Sequence, residues 1–420
     1  MDKVYICIDL KTFYASVECV ERGLDPFKTK LVVADSERGN GTICLAVSPL
    51  MKQLGVRNRC RLFEIPKDID YIIAKPRMKK YIEYSANIYA IYLKYIDKND
   101  IHVYSIDESF IDVTKYLKLY KKDVFELSKM LIDDVYNTYG ITATVGVGTN
   151  LFLAKVALDI SAKHISSNIA YLDQEKYKQT LWNHIPLTDF WHIGRGTQNR
   201  LAKYNIHTMK QISECDPKIL FKEFGINAEI LIDHANGIEP TTISEIKKYK
   251  SKSNCITYGQ VLFEDYKYNE ALLVMKEMVE LGCLDLIDKH LVTNNLSLGI
   301  GYSNEKDKYL GVSMKIPENT NSYKIINEYF IDLFKKNVDK TKLVRRVNIS
   351  FNNVIDEIYQ THTIFEDEVQ NQKERNLQEA ILSIKKKYGK SSILKGMNLE
   401  EKATTLSRNK LIGGHNEEWY

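Results

Sequence analysis

An aspartate closes a strand that should be buried on both faces. Val4-Tyr5-Ile6-Cys7-Ile8 is a nearly continuous run of β-formers, the pattern of a central strand, and Asp9 follows it directly. A second acidic feature repeats the anomaly: Ile101 to Thr114 (IHVYSIDESFIDVT) alternates like a β-hairpin and carries Asp107 and Glu108 at its middle. Taken singly, an Asp after a strand is ordinarily a helix cap, and an Asp-Glu pair at a bend is ordinarily a solvated turn. Together they stand where the flanking residues should be buried. Three carboxylates meeting at one sheet edge repel in a low dielectric unless cations neutralise them. Oxygen donors of this kind select Mg²⁺, with Mn²⁺ as a substitute. Two such ions about 4 Å apart can clamp an in-line phosphoryl displacement, so the pattern points to nucleotidyl transfer.

The rest of the chain gives this edge a setting. Its 420 residues suggest roughly two to four domains, and 44% hydrophobic with 27% charged residues excludes a disordered or collagenous chain. The net charge of +4 is too small to announce a nucleic-acid partner by itself. Seven scattered cysteines without a CxxC pair argue against a disulfide framework or structural zinc and for reduced thiols. Val4 to Ile8 is too short for a signal-peptide core, and Val135 to Ala154 is too polar for a membrane span. A cytoplasmic protein with no membrane partner is expected.

Helical spacing follows from Phe13 to about Gly23. Lys30 to Ala34 and Gly41 to Val47 read as strands, Pro49 to Leu54 as a helix, and Lys79 to Tyr95 as a tyrosine-rich amphipathic helix. A helix over Asp123 to Tyr139, a strand over Thr142 to Val147 and a helix over Asn150 to Lys163 complete an α+β pattern. Residues 173 to 240 are helical, and the lysine-rich Ile246 to Ser253 reads as a tether. Beyond it, strands at Leu296 to Tyr302, Tyr309 to Ile316 and Val344 to Phe351, with a helix near Tyr323 to Lys336, predict a second α+β unit. A charged helix over Val369 to Tyr388 precedes a polar end without clear periodicity.

Three blocks carry a family resemblance. IDLKTFYASVE (Ile8 to Glu18), SIDESFIDVT (Ser105 to Thr114) and VGVGTNLFLAKVALD (Val145 to Asp159) resemble the signature blocks of the Y-family translesion DNA polymerases, in that family's order. The match is closest to the bacterial mutagenic-repair (UmuC-like, ImpB/MucB/SamB) branch and extends to about residue 360. The resemblance implies an α+β right-hand polymerase with a little finger. Its palm would be 1–12 and 75–168, its fingers 13–74, its thumb 169–245, its basic linker 246–253, its little finger 254–360 and its tail 361–420. It implies Asp9, Asp107 and Glu108 as ligands of two Mg²⁺ ions, with the Leu10 carbonyl on the nucleotide-bound one. Where many members have an acidic residue two places after the first Asp, this chain has Lys11.

The same resemblance makes Tyr14 the steric gate against a 2′-hydroxyl, with Phe13 beside it. Lys52 matches a triphosphate-holding basic position, and Lys163 is a second phosphate candidate in a segment one residue longer than in some members. Pro49 stands where some relatives have tyrosine, so that phosphate contact is either missing or supplied by Ser48. Gly41, Thr42 and Ala46 would form a loose roof over the new base pair. WHIGRGTQNRLAKYNI resembles a helix-hairpin-helix, making Gly194, Arg195 and Gly196 candidates for a DNA phosphate, with a fainter copy at Phe224-Gly225-Ile226. The basic run 335–346 offers Lys342, Arg345 and Arg346 for salt-dependent backbone contact. Gln360, Ile364 and Phe365 resemble a degenerate sliding-clamp peptide. Primer-template DNA, deoxynucleoside triphosphates and the clamp are therefore the expected partners of a monomeric, low-fidelity polymerase. A catalytically silent DNA-binding relative is the alternative, kept open by Lys11, Pro49 and the diverged clamp peptide. A nucleotide cyclase is disfavoured because it has no DNA to hold.

Overall fold

The computed structural model describes residues 3–250, 254–304, 306–361 and 368–417. They fall into two compact units, Met1–Lys250 with His415–Tyr420, and Ser251–Gly414.

In the first unit, β1 (Tyr5–Leu10) leads into α1 (Phe13–Glu21). A small sheet follows, built from β2 (Leu31–Val33), β3 (Ala46–Val47) and, beyond α2 (Pro49–Gln53), β4 (Ile72–Ala74), in the order β3-β2-β4. Of the strand expected over Gly41 to Val47, Ala46 and Val47 pair with β2, and Ile43 bridges Arg61 separately. Next come α3 (Met78–Leu93), β5 (Ile101–Val103), β6 (Glu108–Asp112), α4 (Thr114–Tyr120), α5 (Val124–Tyr139) and β7 (Ala143–Gly148). The unit continues with α6 (Leu151–Val156) and β8 (Ile169–Leu172).

The main sheet has the order β5-β6-β1-β7-β8, so β1 is central, as its apolar run predicts. It is antiparallel to both neighbours, and the register sets Asp9 opposite Glu108 on β6 and Thr144 on β7. Tyr5 and Cys7 pack with Phe110, Leu151, Ala154 and Leu158, while Ile6 and Ile8 are equally buried. β8, parallel to β7, was not expected from the sequence.

The glycines of Val145-Gly146-Val147-Gly148 decide how α6 meets this sheet. A Cβ at Gly146 would stand 2.0 Å from the Ala154 carbonyl oxygen, and one at Gly148 would stand 2.2 Å from the Ala154 nitrogen. Their absence lets the helix backbone lie directly on β7. Asn150 caps α6 by accepting from the Leu153 N–H at 2.8 Å. The expected helix to Lys163 is interrupted: a π-helical turn occupies Ala157–Ser161 and a 3₁₀ turn Ala162–His164. A π turn is the form in which a helix absorbs one extra residue, which matches the longer segment read from the sequence.

Helices then dominate: α7 (Gln174–Thr180), α8 (Arg195–Ala202), α9 (Met209–Glu214), α10 (Pro217–Phe224), α11 (Asn227–Ala235) and α12 (Ile243–Lys248). The stretch expected as a tether from Ile246 is helical to Lys248. Thr242 and Glu245 form a capping box there, and Ile243 and Ile246 pack into the core beneath β1.

The second unit is an antiparallel sheet of β9 (Ile256–Tyr266), β10 (Leu291–Tyr302), β11 (Leu310–Thr320) and β12 (Val344–Asn352), in the order β11-β10-β12-β9. Helices α13 (Tyr268–Asp288) and α14 (Tyr323–Asn337) share its core through Met275, Met278, Phe330, Phe334 and Phe351. β9 and α13 were not expected. The charged helix is α15 (Glu368–Tyr388). The polar end, unassigned from the sequence, is fastened to α13: the fully buried Glu277 carboxylate accepts from the Asn398 amide (3.1 Å) and from the N–H groups of Thr404 (2.7 Å) and Thr405 (3.1 Å). Of the residues set apart as a tail, 368–414 thus belong to this unit. Among the described residues no helix is long and apolar enough to cross a membrane.

Candidate active site

A cavity of about 590 Å³ opens where β1 passes into α1. Asp9, Leu10, Lys11, Thr12, Phe13 and Tyr14 form one wall, Ala46, Pro49, Lys52 and Arg59 another, and Asp107, Thr144 and Lys163 lie across it. The turn is tight. Thr12 is left-handed (φ 47°), the Leu10 N–H donates to the Asp107 carbonyl at 2.9 Å, and the Lys11 N–H donates to the Thr142 carbonyl at 2.8 Å. No side chain caps the start of α1, so its first N–H groups are left for an anion.

The three carboxylates do not all meet there. Asp9 and Asp107 line the cavity. Glu108 is buried in the interface between β6 and α6, where Lys155 holds it at 2.8 Å and the Cys7 thiol donates to it at 3.1 Å. Asp9 is engaged by Lys163 at 3.0 Å. Asp159 accepts from both lysines at 2.9 Å, which gives an alternating chain of charge: Glu108, Lys155, Asp159, Lys163, Asp9. As the side chains stand, no three acidic, His or Cys groups among the described residues converge to hold a metal ion. The expectation of a convergent triad is corrected on that point, and the reason is that ammonium groups occupy two of its members.

Burial explains why cations are needed at all. It pushes the Asp9 and Glu108 carboxyls above their usual range, and Lys163 and Lys155 respectively pull them back. Burial alone would lower the Lys163 ammonium, but Asp9 and Asp159 outweigh it and raise it. Lys52, lining the same cavity, is held below its usual range by burial, and the Lys163 and Lys11 charges add to this against Asp9. An all-oxygen donor set that is costly to charge without a counter-ion fits a hard divalent cation.

Tyr14 is half-buried and stacks on Tyr81, with ring centroids 4.5 Å apart and planes 24° apart. Tyr81 is itself fixed: its hydroxyl donates to the fully buried Glu18 at 2.8 Å, and Arg77 grips the same carboxylate at 2.9 and 3.0 Å. Phe13, on the cavity wall, is otherwise buried. Ala46 contributes to the roof, whereas Gly41 and Thr42 are not among the lining residues.

Ser48 does not reach the cavity and is corrected as a phosphate contact. Its buried hydroxyl donates to the Thr29 carbonyl at 2.6 Å and accepts from the Leu31 N–H (3.2 Å) and the Met51 N–H (3.4 Å), capping α2 ahead of Pro49. Arg59, left-handed at φ 60°, lines the cavity instead and was missed, as were Tyr81, Lys155 and Asp159. The spacing Lys155, Asp159, Lys163 was the available signal, since residues four apart share a helix face.

The other candidates lie elsewhere. Gly194, Arg195 and Gly196 are exposed at the start of α8, and no side chain caps that helix. Gly225 is left-handed between α10 and α11, with Ile226 exposed. In the second unit, Lys342 pairs with Asp307 at 2.8 Å, Arg345 with Asp265 at 3.4 Å, and Arg346 is exposed on β12. Gln360 lines a polar pocket with Asn321 and Arg375, while Ile364 and Phe365 lie outside the described residues.

Comparison with known proteins is consistent along the chain. Residues 8–159 match the model of the impB/mucB/samB family, and residues 249–363 match that family's C-terminal domain. UvrX of Bacillus subtilis (strain 168), which carries a UV-damage repair name, is 34% identical over 420 residues, covering 98% of this chain and 97% of the relative. DNA polymerase IV 2 of the same organism is 30% identical over 419 residues, covering 99% of each. Among solved structures, a Y-family DNA polymerase chimera of Dbh and Dpo4 superposes with a TM-score of 0.64 at 20% identity, over 84% of this chain and 99% of that one. With carboxylates and lysines gathered at the end of a central strand, and with both family domains matched in order, this chain belongs to the impB/mucB/samB family of Y-family DNA polymerases.

Proposed function

We propose that the protein is a DNA-templated DNA polymerase of low fidelity that extends primers past damaged template bases. One observation carries the reading: two strand-end carboxylates, Asp9 and Asp107, face the same cavity as Lys52, Lys163 and the uncapped start of α1. Carboxylates and a polyanion-binding wall in one cavity suit transfer of a nucleotidyl group from a triphosphate.

In this reading residues 1–12 and 75–168 are the palm, 13–74 the fingers, 169–245 the thumb and 254–360 the little finger. Asp9 and Asp107, with the Leu10 carbonyl, would hold two Mg²⁺ ions, or Mn²⁺ in their place, and Glu108 would join them only on leaving Lys155. Bound there, the ions supply a lowered pKa at the primer 3′-hydroxyl and charge neutralisation at the leaving pyrophosphate. Lys52 and Lys163 hold the triphosphate, and Lys163 must leave Asp9 to do so. Tyr14, braced by Tyr81, packs against the sugar and excludes a 2′-hydroxyl. Gly194, Arg195, Gly196 and the basic residues of β12 grip the DNA backbone without reading sequence. A sliding clamp docks at Gln360, Ile364 and Phe365, and the enzyme works as a monomer in the cytoplasm.

The test is primer extension opposite a template abasic site. Mg²⁺-dependent incorporation that continues beyond the lesion supports the reading. Efficient copying of undamaged template with a complete stop at every lesion tried would remove the damage-tolerance part. A protein that binds primer-template with steep salt dependence yet extends no substrate would favour the silent relative.

A further inference from the structure

We propose that Lys11 is a third triphosphate-binding cation of this site, acting beside Lys52 and Lys163. The inference rests on the nucleotide-site reading above.

Three observations carry it. Lys11 lines the same cavity as Asp9, Asp107, Lys52 and Lys163. Its backbone is fixed by the hydrogen bond from its N–H to the Thr142 carbonyl, so the side chain starts from a rigid point at the sheet edge. Its half-buried ammonium donates to the side-chain oxygen of Asn168, a neutral partner. Asn168 is itself held in a left-handed turn (φ 56°) just before β8, and its carbonyl accepts from the Val145 N–H at 2.8 Å.

The contrast with its neighbours is chemical. Lys155 and Lys163 spend their charge on Glu108, Asp159 and Asp9. Among the described residues Lys11 and Lys52 have no carboxylate within ion-pair distance, although both face a concave site. An ammonium has three donors, and one neutral amide uses one of them. A partly desolvated cation without a counter-ion gains most when an anion arrives, because the charge-assisted bond forms where water competes least. An acidic residue at this position would repel a triphosphate approaching Asp9, whereas lysine attracts it. The site therefore holds its substrate with a protein cation on the β1–α1 turn, in addition to those on α2 and beyond the π turn.

The experiment measures binding without metal and without turnover. Affinity for inorganic tripolyphosphate and for dCTP is determined in chelator by calorimetry, for wild type, Lys11→Gln, Lys11→Arg and Lys52→Gln. Lys11→Gln is expected to weaken both ligands about tenfold, the factor one charge-assisted hydrogen bond supplies, and Lys11→Arg to retain most of the affinity. In extension assays Lys11→Gln should raise KM for the nucleotide by more than it lowers kcat. Lys11→Met serves as the neutral variant if the glutamine variant fails to fold. Wild-type affinity in the neutral variant, with Lys52→Gln weakened, overturns the role of Lys11 while leaving the site intact. Failure of the wild type itself to bind either ligand in chelator overturns this inference, and its failure to bind dCTP when Mg²⁺ is restored overturns the nucleotide-site reading as well.

Discussion

Lys163 donates to the Asp9 carboxylate at 3.0 Å, so the cation nearest the strand-ending aspartate belongs to the chain itself. Asp159 holds the same ammonium at 2.9 Å and ties it to Lys155 and thence to Glu108. The relay neutralises the buried Glu108 and the partly buried Asp9 while the π turn of Ala157–Ser161 brings Lys163 over the sheet edge. A divalent cation arriving at Asp9 must compete with this ammonium.

Removing the competitor should therefore tighten metal binding. Lys163→Gln is expected to lower the Mn²⁺ concentration for half-saturation severalfold, read from the spectrum of free Mn²⁺, while raising KM for the nucleotide. Unchanged or weaker Mn²⁺ binding would show that the Lys163–Asp9 pair does not occupy the metal position.

Sugar discrimination should depend on a pair of rings rather than one. Tyr14→Ala is expected to admit ribonucleotides. Tyr81→Ala should relax discrimination less, by up to about tenfold, because an aromatic pair contributes about 0.5–1.5 kcal/mol. The check is the ratio of kcat/KM for a deoxynucleotide and its ribonucleotide. Equal ratios in wild type and Tyr81→Ala would separate the stack from the gate.

Close approach at Gly146 predicts a large effect from one carbon. Gly146→Ala places a methyl 2.0 Å from a backbone carbonyl, which cannot move without shifting α6. The expected loss in urea unfolding is about 1–3 kcal/mol or more, and extension should fall with it because α6 leads to Lys155 and Lys163. Wild-type stability would mean that the helix can rise from β7 at no cost.

The sheet edge was legible because charge in a buried strand is an anomaly one can see residue by residue. Asp9, Asp107 and Lys163 stood out, and most strands and helices of the first unit followed from periodicity, β4, α4 and β8 excepted. What could not be read was the partner each group had chosen. Nothing in SIDESF tells that Glu108, the first residue of β6, turns toward Lys155 while Asp107, in the bend before it, faces the cavity. Ser48 was assigned to phosphate although Ser-Pro at a helix start is a capping pattern, and the cap is what the hydroxyl does. α13 escaped because burial continues past the face of Ala271, Val274, Met278 and Leu286 to Leu273, Leu284 and Ile287 on the opposite side, which erases the amphipathic stripe. β9 escaped for the opposite reason, alternating exposed and half-buried residues with few strongly apolar ones.

Burial of Glu277 makes a prediction for the second unit. Glu277→Ala would leave the N–H groups of Thr404 and Thr405 and the Asn398 amide without their acceptor, each at about 1–3 kcal/mol if they stay buried. The segment after α15 should then detach, and limited proteolysis should cut between residues 389 and 405 before the wild type is cut. Equal resistance in both proteins would show that the segment is held by other contacts.

The central claim is that Asp9 and Asp107 face a cavity where a nucleotide is joined to a primer. Primer extension on an undamaged template, wild type beside Asp107→Ala, with Mg²⁺ and with chelator, tests it most directly. Asp107 is on the cavity wall with its side chain bonded only to Ser105 among the described residues, so the substitution leaves the sheet core untouched. Extension by the wild type with Mg²⁺ alone, and its loss in Asp107→Ala while primer-template affinity is kept, is the predicted result. Near-wild-type extension by Asp107→Ala would contradict the account.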